Sequence, residues 1–503
     1  MVTLTSLAEQ VTAQVPDLLP AQAPVQVFLD TEVHGITSNS REVQPGMLFA
    51  ALPGDRVHGA SFVTAALEAG AVAVVTDEQG HAMMQNADVP VLTVPNIKTH
   101  IGLIASIVYG DPGERLRLFA ITGTNGKTTT SYMLEHILRS ADCKVGMIGG
   151  VELKIGTQVA PSVLTTPMPS DLQRLLAQHV DAGGTDLVME VTSHALVQHR
   201  VDPLRFDVAG FTNLTQDHLD YHDSLEDYFL AKASLFTPQR CEAAVILVDD
   251  EWGRRLFELA SARVPRVFAL GLHSQLPPGA QGWSAQLGHE QRSFVLRSTG
   301  GEDTQHEVSL PGEFNISNAA LAVCMALVAG VPRARIPKLI APIVPGRMEL
   351  ISESHPRVVV DFAHNTAALQ QAMQALRPGL EGELIVVTGS AGDRDADKRA
   401  DMGRAVAEAA DLVYITDDDP HSEPPELIRR ALLDGTLGGP AVVTEIADRS
   451  EAIHAAILRA DDNDTVLIAG RGHETVQEVG AEQRELDDRV VARAALQRRH
   501  ATE

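Results

Sequence analysis

The sequence is short of cysteine, short of basic residues and without a long apolar run, and each shortage excludes something. Its cysteines, Cys143, Cys241 and Cys324, are scattered, odd in number and form no CxxC pair. They read as thiols of a reducing compartment, not as a disulfide frame or zinc site. Lys and Arg total 40 against 66 Asp and Glu, a formal charge of −26. General nucleic-acid binding needs a basic surface, so no nucleic-acid polymer is expected as a partner. An acidic chain that holds phosphates must use backbone donors, a few cations and metal. No apolar run approaches the ~18 residues of a membrane span. Residues 1–16 carry Glu9 and no basic start, so no secretory signal is expected. The expectation is a cytoplasmic monomer acting on small molecules, with no membrane partner.

What is present centres on residues 121–130, ITGTNGKTTT. An apolar run, 116–121, reads as a buried strand, and 131–139 has helical spacing. Strand, glycine turn, Lys-Thr and helix together form a phosphate-binding layout. Gly123 and Gly126 let backbone N–H groups converge on phosphate oxygens. The helix N-terminus adds positive potential. Lys127 places a cation on the outer phosphates, and Thr128 offers a hydroxyl to Mg²⁺. The strict pattern wants glycine at 121, where Ile121 stands. By itself the motif implies ATP or GTP with Mg²⁺.

At ~150 residues per domain, 503 residues suggest about three domains. The pattern predicts α/β structure throughout, divided at 1–98, 99–345 and 346–503. In the first part, apolar strands at 47–50, 71–75 and 91–94 accompany a helix at 62–68. In the second, the strand 186–190 ends on Glu190, a carboxylate placed to reach Mg²⁺ beside the phosphate-loop strand. His218 and His222 are four apart, but no Glu follows His218, so a metalloprotease helix fails while one metal contact stays open. Lys232 sits in an apolar helical segment, where a lysine snorkels or needs a partner. Residues 345–349 look like a linker. In the third part, polar clusters follow strands at 361–365, 389–395, 417–421 and 470–474. In an open α/β sheet such clusters converge on one rim. There is no GxGxxG, so this Rossmann-like part carries no dinucleotide fingerprint.

GTNGKTT, DHLDYH, YFLAKASLF, PGRME, GDRD and GRGHE, in this order across nearly the whole chain, resemble the Mur ligase family, most closely its MurE type. That type adds the third residue of the peptidoglycan stem peptide. The family's GxxGK[ST] loop lacks the early glycine, which accounts for Ile121. The resemblance implies a small UDP-binding α/β domain, a central P-loop ATPase with a mainly parallel sheet, and a C-terminal Rossmann-like domain that binds the incoming amino acid. It implies ATP-dependent ligation onto UDP-N-acetylmuramoyl-L-alanyl-D-glutamate through an acyl phosphate, in cell-wall precursor synthesis. Domain closure around the substrates is expected, with 345–346 as a candidate hinge.

The resemblance also implies roles for individual residues. Gly123, Thr124, Asn125, Gly126, Lys127, Thr128, Thr129, Asn315, Asn318, Arg347 and Asp361 fall on the ATP side. Thr128 and Glu190 match ligands of one Mg²⁺ and His218 a ligand of a second. Lys232 matches a lysine carbamylated by CO₂ that supports the second metal, so Lys127, Glu190, His218 and Lys232 form the catalytic set. Ser40, Asp55, Arg56 and Val57 match the uridine-diphosphate side. Thr165, Thr166, Thr192, Gln198 and Arg200 match contacts to the muramoyl-dipeptide; Thr192 stands where the family usually has Ser, with the hydroxyl kept.

Arg394, Asp418, Asp419, Pro420, His421, Gly470 and Glu474 match the amino-acid pocket. Diaminopimelate-adding members carry DNPR where this chain has DDPH at 418–421. The arginine clamp on the extra carboxylate is absent, and Asp419 offers a partner to an ammonium. The expectation is therefore L-lysine, or L-ornithine, over meso-diaminopimelate, unless a protonated His421 softens the difference. Two rivals stand beside it. Folylpolyglutamate synthetase shares the ATPase core but leaves the first domain unexplained. A regulatory nucleotide-binding protein without ligase activity leaves the C-terminal clusters idle.

Overall fold

The computed structural model describes residues 2–15, 31–54, 56–84, 89–288, 292–353 and 356–502. Three α/β domains follow one another along the chain.

In the first, the parallel strands Gly35–Thr37, Met47–Ala51, Ala73–Thr76 and Val91–Thr93 lie side by side in chain order. Strand periodicity sends Leu48 and Ala50 to one face and Phe49 and Ala51 to the other. Helix Ile97–Val108 covers the first face with Ile97, Ile101, Ile104 and Val108. Helix Val63–Glu68 covers the second with Val63 and Ala66.

The central domain is built on a 12-stranded sheet. Its strand Arg117–Thr122 lies between Asp186–Glu190 and Phe206–Phe211, parallel to both. Being buried on both faces, these strands read as near-continuous apolar runs. Helices Lys127–Ser140 and Glu313–Val328 share a core on one face, with Leu134, Ile137 and Leu138 against Ala319, Ala320 and Val323. On the other face, Leu172 and Leu176 of Pro169–Asp181 and Tyr228 and Phe229 of Leu225–Ala233 pack on Leu118, Ala120 and Met189.

The C-terminal domain has a six-stranded sheet in the order Glu349–Ser352, Arg357–Asp361, Thr465–Ala469, Leu384–Thr388, Leu412–Ile415, Val442–Glu445. Only the first pair is antiparallel. The carboxyl ends of the parallel strands therefore share one rim, and the four polar clusters meet there as the pattern predicts. A hairpin, Val476–Val479 with Glu482–Glu485, lies beside that rim.

Three expectations change. The boundary expected at 98/99 falls inside helix Ile97–Val108, whose apolar face belongs to the first domain's core. The helix after the phosphate loop begins at Lys127, not 131, because Gly126 turns the chain in a left-handed conformation and a Thr-rich first turn continues it. Those threonines are buried, so apolar spacing alone hides them. Residues 345–347 are no slack linker: Arg347 stacks on the Phe362 ring at 4.0 Å and reaches Thr128 Oγ1 at 3.5 Å.

Candidate functional site

The phosphate loop joins strand Arg117–Thr122 to helix Lys127–Ser140. Its glycines are required by geometry. A Cβ on Gly123 would lie 1.9 Å from Thr212 Oγ1, and one on Gly126 would lie 2.3 Å from Asn318 Oδ1. The loop is braced by the segment after Phe206–Phe211: Thr124 N–H donates to Asn213 O at 2.8 Å and Asn125 N–H to Asn213 Oδ1 at 3.1 Å. Asn318 closes the brace, accepting from Thr130 Oγ1 at 3.3 Å and donating to Asn315 Oδ1 at 3.3 Å. Lys127 folds back on the loop, donating to Gly123 O at 3.0 Å and Thr124 O at 2.8 Å.

Glu190 ends its strand directly beside this loop. Thr128 Oγ1 donates to Glu190 Oε2 at 2.9 Å, and Gly150 N–H donates to Oε1 at 2.9 Å. A hydroxyl and a carboxylate held face to face are oxygen donors of the kind Mg²⁺ takes. Lys232 comes from the apolar helix and does not snorkel. It is 1 % exposed, donates to Gly123 O at 2.9 Å, and lies 4.4 Å from the Tyr228 ring centre. Burial, then the charge of Lys127, drives its amine well below the ordinary lysine range. His218 adopts a left-handed backbone (φ 56°), and burial pushes its imidazole down to about 3, opposed by Asp217. The His218 imidazole is thus uncharged at neutral pH. His194 lies 5.1 Å from His218, ring to ring, and is held down to about 4, again mainly by burial.

A cleft of about 630 Å³ brings Lys127, Thr128, Glu190, His194 and His218 together with the C-terminal domain, while Lys232 lies buried behind it and is not part of its wall. Its walls include Thr124 to Thr129, Glu190, His218, Asn315, Asn318, Arg347 and Asp361, with Thr165, Thr166, Thr192 and Arg200 at one end and Arg394 and Glu474 at the other. At the first end Thr166 Oγ1 donates to Glu190 O at 2.8 Å, and Arg200 donates to Thr166 O at 2.9 Å and to Gln198 Oε1 at 2.7 Å. Thr192 caps the following helix by accepting from Ala195 N–H at 3.2 Å. Ser40, Arg56 and Val57 lie on the N-terminal domain, outside this cleft, and Asp55 lies outside the described residues.

The far end is a separate electrostatic unit. The carboxylates of Asp418, Asp419 and Glu474 lie within 4.8 Å of one another. Beneath them Arg471 is fully buried, paired with Asp419 and 3.8 and 3.9 Å from Asp418 and Glu474. Burial, helped by Asp418, pushes Glu474 up to about 8. Gly470 is at φ +121°, where a Cβ would lie 2.6 Å from Asp418 Oδ2. The expectation that Asp419 stands ready for an ammonium does not hold as drawn: its charge is matched by the Arg471 guanidinium. The two are 52 residues apart, a pairing no local pattern reveals.

Sequence reasoning also assigns no role to Asp217, which joins the domains. It is 5 % exposed and faces His364 at 3.7 Å, Lys398 at 3.8 Å and the Asn365 amide at 3.5 Å. Burial works against its charge, yet His364, His218 and Lys398 hold its carboxyl far below the usual range. A second cavity of about 530 Å³ shares Asn125, Gly126, Phe314, Asn318 and Gln371 with the cleft and runs on to Asp249 and His273. No motif marks those last two.

Comparison with known proteins follows the same division. The chain matches the Mur ligase family, catalytic domain, over residues 32–109. It matches the Mur ligase middle domain over 121–326 and the Mur ligase, glutamate ligase domain, over 346–472. It is 43 % identical over 496 residues to UDP-N-acetylmuramoyl-L-alanyl-D-glutamate–2,6-diaminopimelate ligase of Streptomyces coelicolor, covering 97 % of this chain and 96 % of that one. It is 39 % identical over 504 residues to the protein of the same name from Synechococcus elongatus, covering 96 % and 99 %. A solved structure of a ligase of that name superposes with a TM-score of 0.65 at 30 % identity, over 99 % of this chain and all of the other.

Proposed function

The chain belongs to the Mur ligase family, ATP-dependent enzymes that form amide bonds, and we propose that it joins 2,6-diaminopimelate to UDP-N-acetylmuramoyl-L-alanyl-D-glutamate in peptidoglycan precursor synthesis. One observation carries the ligase reading: a single cleft is lined by the phosphate loop of one domain and by Arg394 and Glu474 of another. The cleft forms within one chain, so the reading needs no second copy. The choice of 2,6-diaminopimelate is supported by the names of relatives that match nearly end to end. The pairing of Asp419 with Arg471 removes one argument against it, the repulsion of a second carboxylate by a free aspartate.

In this reading residues 1–98 take the uridine diphosphate through Ser40, Asp55, Arg56 and Val57. Residues 99–345 take ATP, and residues 346–503 take the amino acid. Thr165, Thr166, Thr192, Gln198 and Arg200 hold the muramoyl-dipeptide. A carboxylate is a poor acyl donor. Its oxygen attacks the terminal phosphorus of ATP and ADP leaves; the incoming amine then attacks the acyl carbon, phosphate leaves, and the nitrogen gives up a proton. Lys127 trades its two loop carbonyls for phosphate oxygens, which concentrates its charge where negative charge gathers. Arg347, anchored on Phe362, holds a second cation at Thr128. Mg²⁺, when bound, neutralises phosphate charge. Thr128 and Glu190 would hold one ion, and His218 and the carbamate of Lys232 a second. The residues fit: Glu190 and Thr128 oppose their oxygens, His218 is neutral, and burial shifts Lys232 toward the free amine, the form that adds CO₂.

The test is phosphate release with ATP, Mg²⁺ and UDP-N-acetylmuramoyl-L-alanyl-D-glutamate, with the amino acid varied and the product read by mass. The highest kcat/KM is expected for 2,6-diaminopimelate. No product with any amino acid would sink the ligase reading. A second reading, L-lysine or L-ornithine, is favoured by one observation: His421 occupies the position of the clamp arginine in the resembled loop. A higher kcat/KM for either of these establishes it instead.

A further inference from the structure

The rim hairpin contributes a carboxylate that the resemblance does not single out. Glu478 sits on strand Val476–Val479 and lines a cavity of about 640 Å³ with Asp418, Asp419, His421, Glu474 and Arg394. Strand alternation places Val476 and Glu478 on the cavity side. Between them Gln477 is buried, its amide donating to Asp418 O at 2.6 Å.

The hairpin is clipped to the loop at 418–421 from both directions. His421 N–H donates to Glu478 O at 3.1 Å, Gly480 N–H donates to His421 O at 2.7 Å, and Glu478 N–H donates to Asp419 Oδ1 at 3.1 Å. His421 takes a left-handed backbone (φ 49°) to make this fit, and its Nδ1 lies 3.1 Å from Glu478 Oε2. The carboxylate is thus presented by a fixed backbone and a fixed neighbour, as a recognition group should be.

Charge accounting distinguishes it from the other acids of the cavity. Asp419 pairs with Arg471, and Asp418 and Glu474 stand within 4 Å of the same guanidinium. Glu478 contacts an imidazole and, at 3.4 Å, the Gln483 amide; among the described residues it has no Arg or Lys partner. We propose that Glu478, positioned by His421, is a specificity-determining residue that receives the ammonium at the far end of the incoming amino acid's side chain. This rests on the reading of the C-terminal pocket as an amino-acid site. It holds for any diamino acid, because L-lysine and 2,6-diaminopimelate both carry that ammonium.

The experiment uses the full chain and the Glu478→Gln variant, which keeps the shape and removes the charge. KM is measured for 2,6-diaminopimelate, L-lysine and ATP. 2-Aminopimelate, which keeps the far carboxylate and lacks the far amine, is titrated as substrate or inhibitor. Removing a charge-assisted hydrogen bond raises KM for the diamino acids about tenfold or more. The 2-aminopimelate constant and the KM for ATP are expected to move little, and Glu478→Asp to recover part of the loss. Unchanged diamino-acid KM values, or equal shifts for all ligands, overturn the inference alone. A wild-type chain inert with every amino acid overturns the pocket reading and the inference with it.

Discussion

Replacing Lys232 by Met separates the chemical use of this side chain from its structural use. The change removes one hydrogen bond, Nζ to Gly123 O at 2.9 Å, worth about 1 kcal/mol. It keeps the unbranched aliphatic stem against Tyr228, since Met is nearly isosteric with the buried part of Lys. It also relieves the cost of burying an amine beside Lys127. These contributions oppose one another, so the melting temperature should stay within about 4 °C of wild type. Ligation should nonetheless fall by about 10²-fold or more, the scale seen when one preorganised polar group is lost from a reaction centre. Phosphate release and amide product are read on the same preparation as the thermal melt. Wild type is assayed with and without bicarbonate, and labelled CO₂ is trapped on the protein. A folded variant with near wild-type ligation refutes a chemical role for Lys232. A melting temperature lower by tens of degrees refutes the packing argument.

Three further outcomes follow from the geometry. Gly126→Ala puts an L-residue at φ +87°, with its Cβ 2.3 Å from Asn318 Oδ1, and the strain of about 1–2 kcal/mol should raise KM for ATP more than KM for the amino acid. Glu474 has a pKa of about 8, above its ordinary 4.5, so between these values the folded chain holds a proton that the unfolded chain has lost. Stability contributed by that proton falls as pH rises through this window; Glu474→Gln should melt near wild type at pH 4.5 and above it at pH 8. Arg449 and Asp488 are fully buried and paired by two 2.8 Å hydrogen bonds. Asp488→Ala strands the guanidinium and should cost about 3–5 kcal/mol, a drop of about 6–20 °C, which the double change Arg449→Met, Asp488→Leu largely restores.

Much of the scaffold was legible because its strands are buried on both faces and its helices carry one apolar stripe. The strands Asp186–Glu190 and Leu384–Thr388 fall where their apolar runs predict. The chemistry-bearing loops were legible too, since each follows a strand and the parallel topology collects strand ends. Contacts that depend on side-chain direction were not. Nothing local shows that Lys232 turns inward to Gly123, or that Arg471 matches Asp419 across 52 residues. The second of these had a chemical consequence, because the sequence-based preference for L-lysine treats Asp419 as free, whereas it is paired with Arg471. Asp217 was equally hidden: it lies in a motif recognised for its neighbour His218, while its partners sit in another domain.

The junction between the central and C-terminal domains is made mostly of polar contacts: Asn365 with Asn125 at 3.3 Å, Asp217 with His364 and Lys398, and Arg347 with Thr128. The apolar clusters among the described residues each lie within one domain, apart from Phe314, which packs against the C-terminal core. Polar groups exchange partners for water at small net cost, whereas exposing a core does not. Parting along this seam would uncover Phe314 alone among the clustered apolar residues described, so a separation of these two domains would break reversible polar contacts and leave each domain's core closed.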